Sequence, residues 1–208
     1  MNELLSPYHD LPVDAWSAKT KEPIEKHPLD VAEIVEIVLR AWKDIFVSSL
    51  GTRQYQIGKD IFPTPQVLGF LLQEFITLEL KEKYPDEWRG EVSSLDKDLV
   101  YIPDNSYSIE IKSSSQRGIY GNRSYAQKGD ATKVKKSKSG YYLAINFEAF
   151  KVSKEPKIKR IRFGWIDAED WRGQVSATGQ QSNLSKAVEM YKLVTLYPAL
   201  EQHALALI

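Results

Sequence analysis

Cysteine is absent from the 208 residues, and the chain has only two methionines and three histidines. Without cysteine there can be no disulfide framework, thiol nucleophile, iron–sulfur cluster or cysteine-based zinc site. The histidines, His9, His27 and His203, are scattered along the chain, which supports neither a histidine-metal centre nor a hydrolase triad. No run of about 20 apolar residues is present to cross a bilayer. Met1 to Asp10 carries acids where a signal peptide needs an apolar core. The expectation is a cytoplasmic protein with no membrane partner. Net charge is also lacking, with 28 Lys and Arg against 28 Asp and Glu. Hydrophobic residues make up 42% and charged residues 27%, an ordinary globular balance that suits a single domain over 1–208 with a real core.

The neutral total conceals a lopsided distribution. From Lys112 to Arg162 there are fourteen basic residues and three acids, Asp130, Glu148 and Glu155, a local balance of +11. The remaining 157 residues therefore carry −11. A solvated lysine-rich loop would explain Lys133, Lys135, Lys136 and Lys138 by themselves. Because the block adjoins an acidic motif, it points instead to a polyanionic partner.

Residues 1–28 read as an irregular N-terminal arm punctuated by Pro and His, with Trp16 as an anchor and room for a short helix. Val31, Ile34, Val35, Val38, Ala41, Trp42, Ile45 and Phe46 recur at helical spacing and predict a helix from Leu29 to about Ser49. Thr64-Pro65 opens a second helix that runs to about Lys83. Period-two patterning then predicts strands at Leu95–Ile102 and Ser106–Ser114, joined by a Pro103-Asp104-Asn105 turn. Further strands are expected at Tyr141–Phe147 and Ile158–Ile166. Residues Gly173 to Ser182 read as a polar loop, in which Gln174, Gln180 and Gln181, together with Asn183 just beyond it, form an amide-rich candidate DNA contact. A closing helix is expected from Leu184 to Leu207, bent at Pro198. The resulting order is an α/β or α+β layer arrangement.

The chemistry centres on the predicted hairpin. Glu110 and Lys112 lie at i and i+2 of a strand and project from one face. A pivot around Asp104 sets Asp98 opposite Glu110 and Asp96 opposite Lys112. The same register sets Leu99 against Ile109 and Tyr101 against Tyr107 on the other face. The apolar residues thus demand the register that gathers Asp98, Glu110 and Lys112. Two carboxylates this close repel unless a cation lies between them. With oxygen ligands only, Mg²⁺ is the natural ion, and the Ile111 carbonyl can add a third oxygen. A lysine beside such an ion suits phosphodiester hydrolysis. A surface hairpin with cross-strand ion pairs would carry the same residues, and Asp96 competes with Asp98 for the metal role. On the second helix, Glu74 lies on a stripe with Val67, Leu71 and Leu78, where an acid has to be paired, protonated or metal-bound, or else reach solvent at the helix edge.

Asp98 followed by Glu110-Ile111-Lys112 resembles the PD-(D/E)xK nuclease signature, with Lys97 where a proline often stands. Further stretches resemble the ScaI family of type II restriction endonucleases. They are Ser6-Pro7-Tyr8 with Trp16, Pro65-Gln66 and Gly69-Phe70-Leu71-Leu72 within Gly58 to Leu80, and Ser108 to Ser114. Gly121-Asn122-Arg123-Ser124-Tyr125, Gly140-Tyr141-Tyr142-Leu143, Arg160 to Trp165 and Thr178-Gly179-Gln180 continue the series. The resemblance implies a restriction-endonuclease-like core with a mixed central sheet flanked by helices. It also implies Mg²⁺-dependent cleavage of double-stranded DNA at a short palindrome by a homodimer, alongside a cognate methyltransferase. In that scheme Asp98 and Glu110 bind the metal, Lys112 orients or deprotonates the attacking water, and Glu74 completes or tunes the site. The basic segment 113–139 becomes the DNA-contacting element. Arg117, Asn122, Arg123, Tyr125, Gln127 and Lys128 suit the recognition site, and Lys133, Lys135, Lys136 and Lys138 suit the phosphate backbone. A repair or junction-resolving nuclease with the same core, and a non-catalytic DNA-binding module, are the competing readings.

Overall fold

The computed structural model describes residues 5–126, 136–176 and 179–198. Helix α1, Trp16–Glu25, follows a short 3-10 turn and gives the N-terminal arm more order than its Pro and His content suggests. Helix α2, Val31–Val47, begins where the Asp30 carboxylate accepts from the amides of Ala32 and Glu33 at 2.8 and 3.3 Å. Its buried stripe is Ile34, Ile37, Val38, Ala41, Trp42 and Ile45. A two-residue ribbon, β1 (Ser49–Leu50) with β2 (Tyr55–Gln56), leads to α3, Pro65–Lys83, which opens on an extended Thr64 with proline in the first turn. Leu68, Gly69, Leu72, Ile76 and Leu80 form its buried face.

The strands that follow are β3 (Trp88–Gly90), β4 (Leu99–Tyr101), β5 (Ile109–Ser114), β6 (Tyr120–Asn122), β7 (Gly140–Phe147) and β8 (Ile158–Ile166). The chain then forms β9 (Trp171–Gly173), β10 (Gln181–Leu184), the short helix α4 (Lys186–Tyr191) and β11 (Leu193–Tyr197). Six strands make a mixed central sheet in the order β11-β8-β7-β5-β4-β3, with β5 and β7 parallel and the other neighbours antiparallel. A second sheet, β6-β10-β9, is antiparallel.

Alternation along β5 and β7 separates the two faces of the central sheet. Ile109, Ile111, Leu143 and Ile145 join the large core that holds Leu68, Leu72, Ile76 and Leu80 of α3 and the buried stripe of α2. Tyr142 and Ala144, paired with Glu110 and Lys112, point the other way, into a smaller core with Ile119, Trp171, Leu184 and Val188. The small sheet and α4 therefore cover part of the face that carries the acid and the lysine.

Two expectations are corrected here. The stretch after Leu184 is not a long closing helix. Its first part forms α4, and the Leu193-Val194-Thr195 run, with two β-branched residues, pairs with the open edge of β8 instead. Residues 199–207 lie outside the described residues. The polar segment Gly173 to Ser182 is likewise not all loop, because Gly173 ends β9 and Gln181 and Ser182 belong to β10. Among the described residues, no helix is long and apolar enough to cross a membrane.

Candidate active site

Leu99 pairs with Ile109, so the register read from the apolar residues is the one observed. Immediately before β4, the Asp98 side chain takes over where the ladder stops. Its Oδ2 accepts from the Ile111 amide at 2.7 Å. In an antiparallel ladder the N–H and C=O of one residue point to the same neighbour, so the Ile111 carbonyl is directed to this side of the strand as well. Glu110 is 2% exposed and Asp98 8%. Lys112 Nζ lies 2.6 Å from Glu110 Oε1 and 3.3 Å from the Ile111 carbonyl oxygen.

A second ammonium joins them from the far end of the basic segment. Lys136 Nζ is 2.7 Å from Glu110 Oε2 and 3.3 Å from Asp98 Oδ1, which places it between the two carboxylates. Burial alone would raise the Glu110 pKa, but Lys112 and Lys136 together outweigh it and hold the group well below the usual carboxylate range. Tyr125 donates its hydroxyl to Glu110 Oε1, and its ring faces Lys112 Nζ at 5.0 Å. Burial, with the Glu110 charge beside it, raises the Tyr125 pKa and keeps that hydroxyl protonated. Lys97, buried behind the site, donates to the Ser137 carbonyl at 3.3 Å and lies 5.4 Å from the Tyr142 ring centre. Burial pushes its amine down to about 8.

The donor set suits a hard divalent cation. It is all oxygen, with two carboxylates and one main-chain carbonyl directed to the same side. Glu110 Oε2 is buried and receives no well-directed hydrogen bond among the described residues, with the Lys136 ammonium as its close neighbour. A cation already lies where a metal would be held. No group of three or more His, Asp or Glu clusters for a metal among the described residues.

The family described as "ScaI restriction endonuclease" matches residues 6–197. The chain belongs to that family. A curated relative, "Type II restriction enzyme ScaI" of Streptomyces caespitosus, is 44% identical over 195 residues, covering 92% of this chain and 85% of the relative. No solved structure matches.

Within this family member, Asp98, Glu110, Ile111 and Lys112 come together as a unit, and Asp96 and Glu74 stand apart. Asp96 accepts from Arg89 at 2.9 Å and from the amides of Val92 and Ser93, closing the preceding turn. The Arg89 guanidinium and those amides hold its carboxyl at about 2. Glu74 is exposed on α3, and α3 packs on the opposite face of the sheet from Glu110 and Lys112. The stripe it shares with Val67 and Leu78 faces solvent, because the buried face of α3 is the one led by Leu68, Leu72 and Ile76. The helix is apolar on both sides, so periodicity alone could not choose between the faces.

Of the expected DNA contacts, Arg117 and Asn122 are exposed. Arg123 is turned inward, its guanidinium donating to the carbonyls of Ser176 and Gly179. Lys138 donates to the Ser124 carbonyl. Gln127, Lys128, Lys133 and Lys135 lie outside the described residues. Two features are not legible in the sequence. Lys97 carries no local signal that marks it as buried. Arg162, buried on the same sheet face, bonds Glu189 and Asn146, whose side chains in turn hold the Ile119 amide and the Gln116 and Gly118 carbonyls. That network fixes the loop leaving the Lys112 strand.

Proposed function

We propose that the chain is a type II site-specific deoxyribonuclease that hydrolyses phosphodiester bonds of double-stranded DNA at a short palindrome with Mg²⁺. We also infer a cytoplasmic homodimer paired with a methyltransferase of the same specificity. Family membership supports the activity. The observation that carries the assignment to these residues is the buried Asp98–Glu110 pair with Lys112 Nζ at 2.6 Å on the same strand face.

Asp98, Glu110 and the Ile111 carbonyl would hold the ion. Bound there, it supplies positive charge for a phosphoryl oxygen and the leaving oxygen. Lys112, fixed by Glu110 and the Ile111 carbonyl, orients a water toward phosphorus. One P–O bond forms from that water as the bridging P–O bond breaks. Tyr125, through its hydroxyl on Oε1, keeps the Glu110 carboxylate in one rotamer. Lys136 competes for the space between the carboxylates, and its ammonium offsets their mutual repulsion in the absence of metal. The +11 segment beginning at Lys112 concentrates attraction for the DNA backbone next to the reacting groups.

The test is plasmid digestion with Mg²⁺ or with EDTA, followed by sequencing of the cut ends. Discrete fragments are expected only with Mg²⁺. Glu110→Ala and Lys112→Ala should each abolish cutting, and Lys112→Ala should still retain DNA in a gel-shift assay. Parental cutting by Lys112→Ala would refute the assignment.

A further inference from the structure

The small sheet has an underside committed to the core and a largely exposed outer face, on which Gln174 Nε2 donates to Gln181 Oε1 at 3.4 Å. On its underside, Ile119, Trp171, Ser182 and Leu184 are buried. Alternation and register determine what stands on the outside. Asn183 pairs with Tyr120 on one neighbour and with Arg172 on the other, and Gln181 pairs with Asn122. Directly paired residues project from the same face. Tyr120, Asn183 and Arg172 therefore form one row across three strands, with Asn122 and Gln181 in a second row beside it. Tyr120 is half-buried and the other four are exposed. The two rows hold three carboxamides, a guanidinium and a phenol, with no carboxylate. Arg172 makes no ion pair among the described residues.

We propose that this face reads DNA bases, with Arg172, Asn183 and Gln181 as its specificity-determining side chains; the inference rests on the nuclease reading above. Carboxamides match the paired donor and acceptor of adenine, and a guanidinium fork matches the two acceptors of guanine. Three strands span roughly 10 Å, comparable to the major-groove width of about 12 Å. The face is also coupled to the chemistry. The Tyr125 ring packs 5.0 Å from Trp171 on the underside, and its hydroxyl bonds Glu110. A Cβ on Gly121 would come within 2.9 Å of that ring. Only one aromatic ring separates the base-reading sheet from the scissile phosphate site, so a shift of the sheet on its target is transmitted to Glu110. This places base recognition on β6, β9 and β10 and relieves Arg123, which is engaged with the Ser176 and Gly179 carbonyls, of that role.

The experiment compares the parent with Arg172→Ala, Arg172→Lys and Asn183→Ala. Genomic DNA is digested with Mg²⁺ and the cut ends are sequenced. Binding to a duplex carrying the parent's mapped site is then measured in Ca²⁺ across a salt series. Each variant should lose about 10- to 100-fold in preference for that site over single-base variants, with the salt slope of binding unchanged. Arg172→Lys should fail as Arg172→Ala does, because lysine keeps the charge and loses the fork. A reduced salt slope with preference intact would assign these residues to phosphate and overturn the inference, as would variants indistinguishable from the parent. If the parent itself leaves DNA uncut, the nuclease reading falls and this one with it. A parent that cuts at one site, with variants that cut the same, overturns this inference alone.

Discussion

Replacing Lys136 with methionine removes the ammonium that lies between two buried carboxylates while keeping most of the side-chain volume. At 2.7 Å from Glu110 and 3.3 Å from Asp98, the gross attractions are about 6 and 5 kcal/mol at an effective dielectric near 20. Most of that offsets the cost of desolvating the ions. What is lost when one partner of a buried pair is removed is about 3–5 kcal/mol. Lys112 still lies 2.6 Å from Glu110, and the Lys136 side chain is 22% exposed, so the lower end, about 3 kcal/mol, applies. For a chain of this length that corresponds to a fall in Tm of roughly 6–12 °C. The assay is thermal unfolding of Lys136→Met and parent, each with EDTA and with excess Mg²⁺. The deficit should appear in EDTA and shrink with Mg²⁺, because a divalent ion bound to the folded state replaces the missing charge. Calorimetric titration should show tighter Mg²⁺ binding to the variant, since the competing ammonium has gone. An unchanged Tm in EDTA, or a deficit equal in both conditions, would refute the reasoning.

Two other perturbations test how the scaffold holds the site. A Cβ on Gly69 of α3 would come 2.5 Å from Ser113 Oγ, one residue beyond Lys112, with Ser113 Cβ at 3.7 Å. The hydroxyl can rotate away and alanine favours the helix, so Gly69→Ala should change stability by less than about 1 kcal/mol in urea unfolding. A larger loss, recovered by adding Ser113→Ala, would show instead that the hydroxyl is held in place. His27 is buried among Tyr141, Phe163 and Tyr107 rings, accepts from the Leu29 amide and bonds the Tyr107 carbonyl, and its pKa is lowered by burial. Below about pH 6.5 the unfolded chain takes up a proton that the folded chain refuses, so its contribution is present above that pH and lost as pH falls. Stability measured between pH 7.5 and 5 should fall more steeply for the parent than for His27→Asn, and parallel slopes would exclude the effect.

Where local pattern and tertiary demand agree, elements are legible in the amino-acid sequence alone. Thr64-Pro65 opens α3 and Lys83 closes it as expected. Strand β8 spans Ile158–Ile166, the run of β-branched and aromatic residues that predicts it. The hairpin register is legible because a one-residue slip would move Leu99 and Ile109 out of the core. Legibility fails where the outcome depends on a partner distant in sequence. Leu193–Tyr197 becomes a strand because β8 presents an open edge, which no window of local sequence contains. The three-residue strands β3, β6 and β9 show no period of their own, whereas the equally short β4 lies within a longer alternating run. Periodicity misplaces Glu74 because α3 carries apolar residues on both sides, and only the packing of α2 and the sheet decides which side is covered.

The basic segment shows the same limit in its electrostatics. A count of charges along the chain reveals sign and density, and both point to a polyanion beside the Glu110 strand. It cannot reveal direction. A lysine next to a buried acid lowers the energy of the metal-free site by turning inward, and a lysine next to a phosphate lowers the energy of the complex by turning outward. Of the lysines that suit phosphate contacts in the sequence, Lys136 turns inward here to the two carboxylates, and Lys138 bonds the Ser124 carbonyl at the surface. On the proposed reading, an ion held between Asp98 and Glu110 would take the place that the Lys136 ammonium occupies, and would leave that lysine to turn outward toward the DNA backbone.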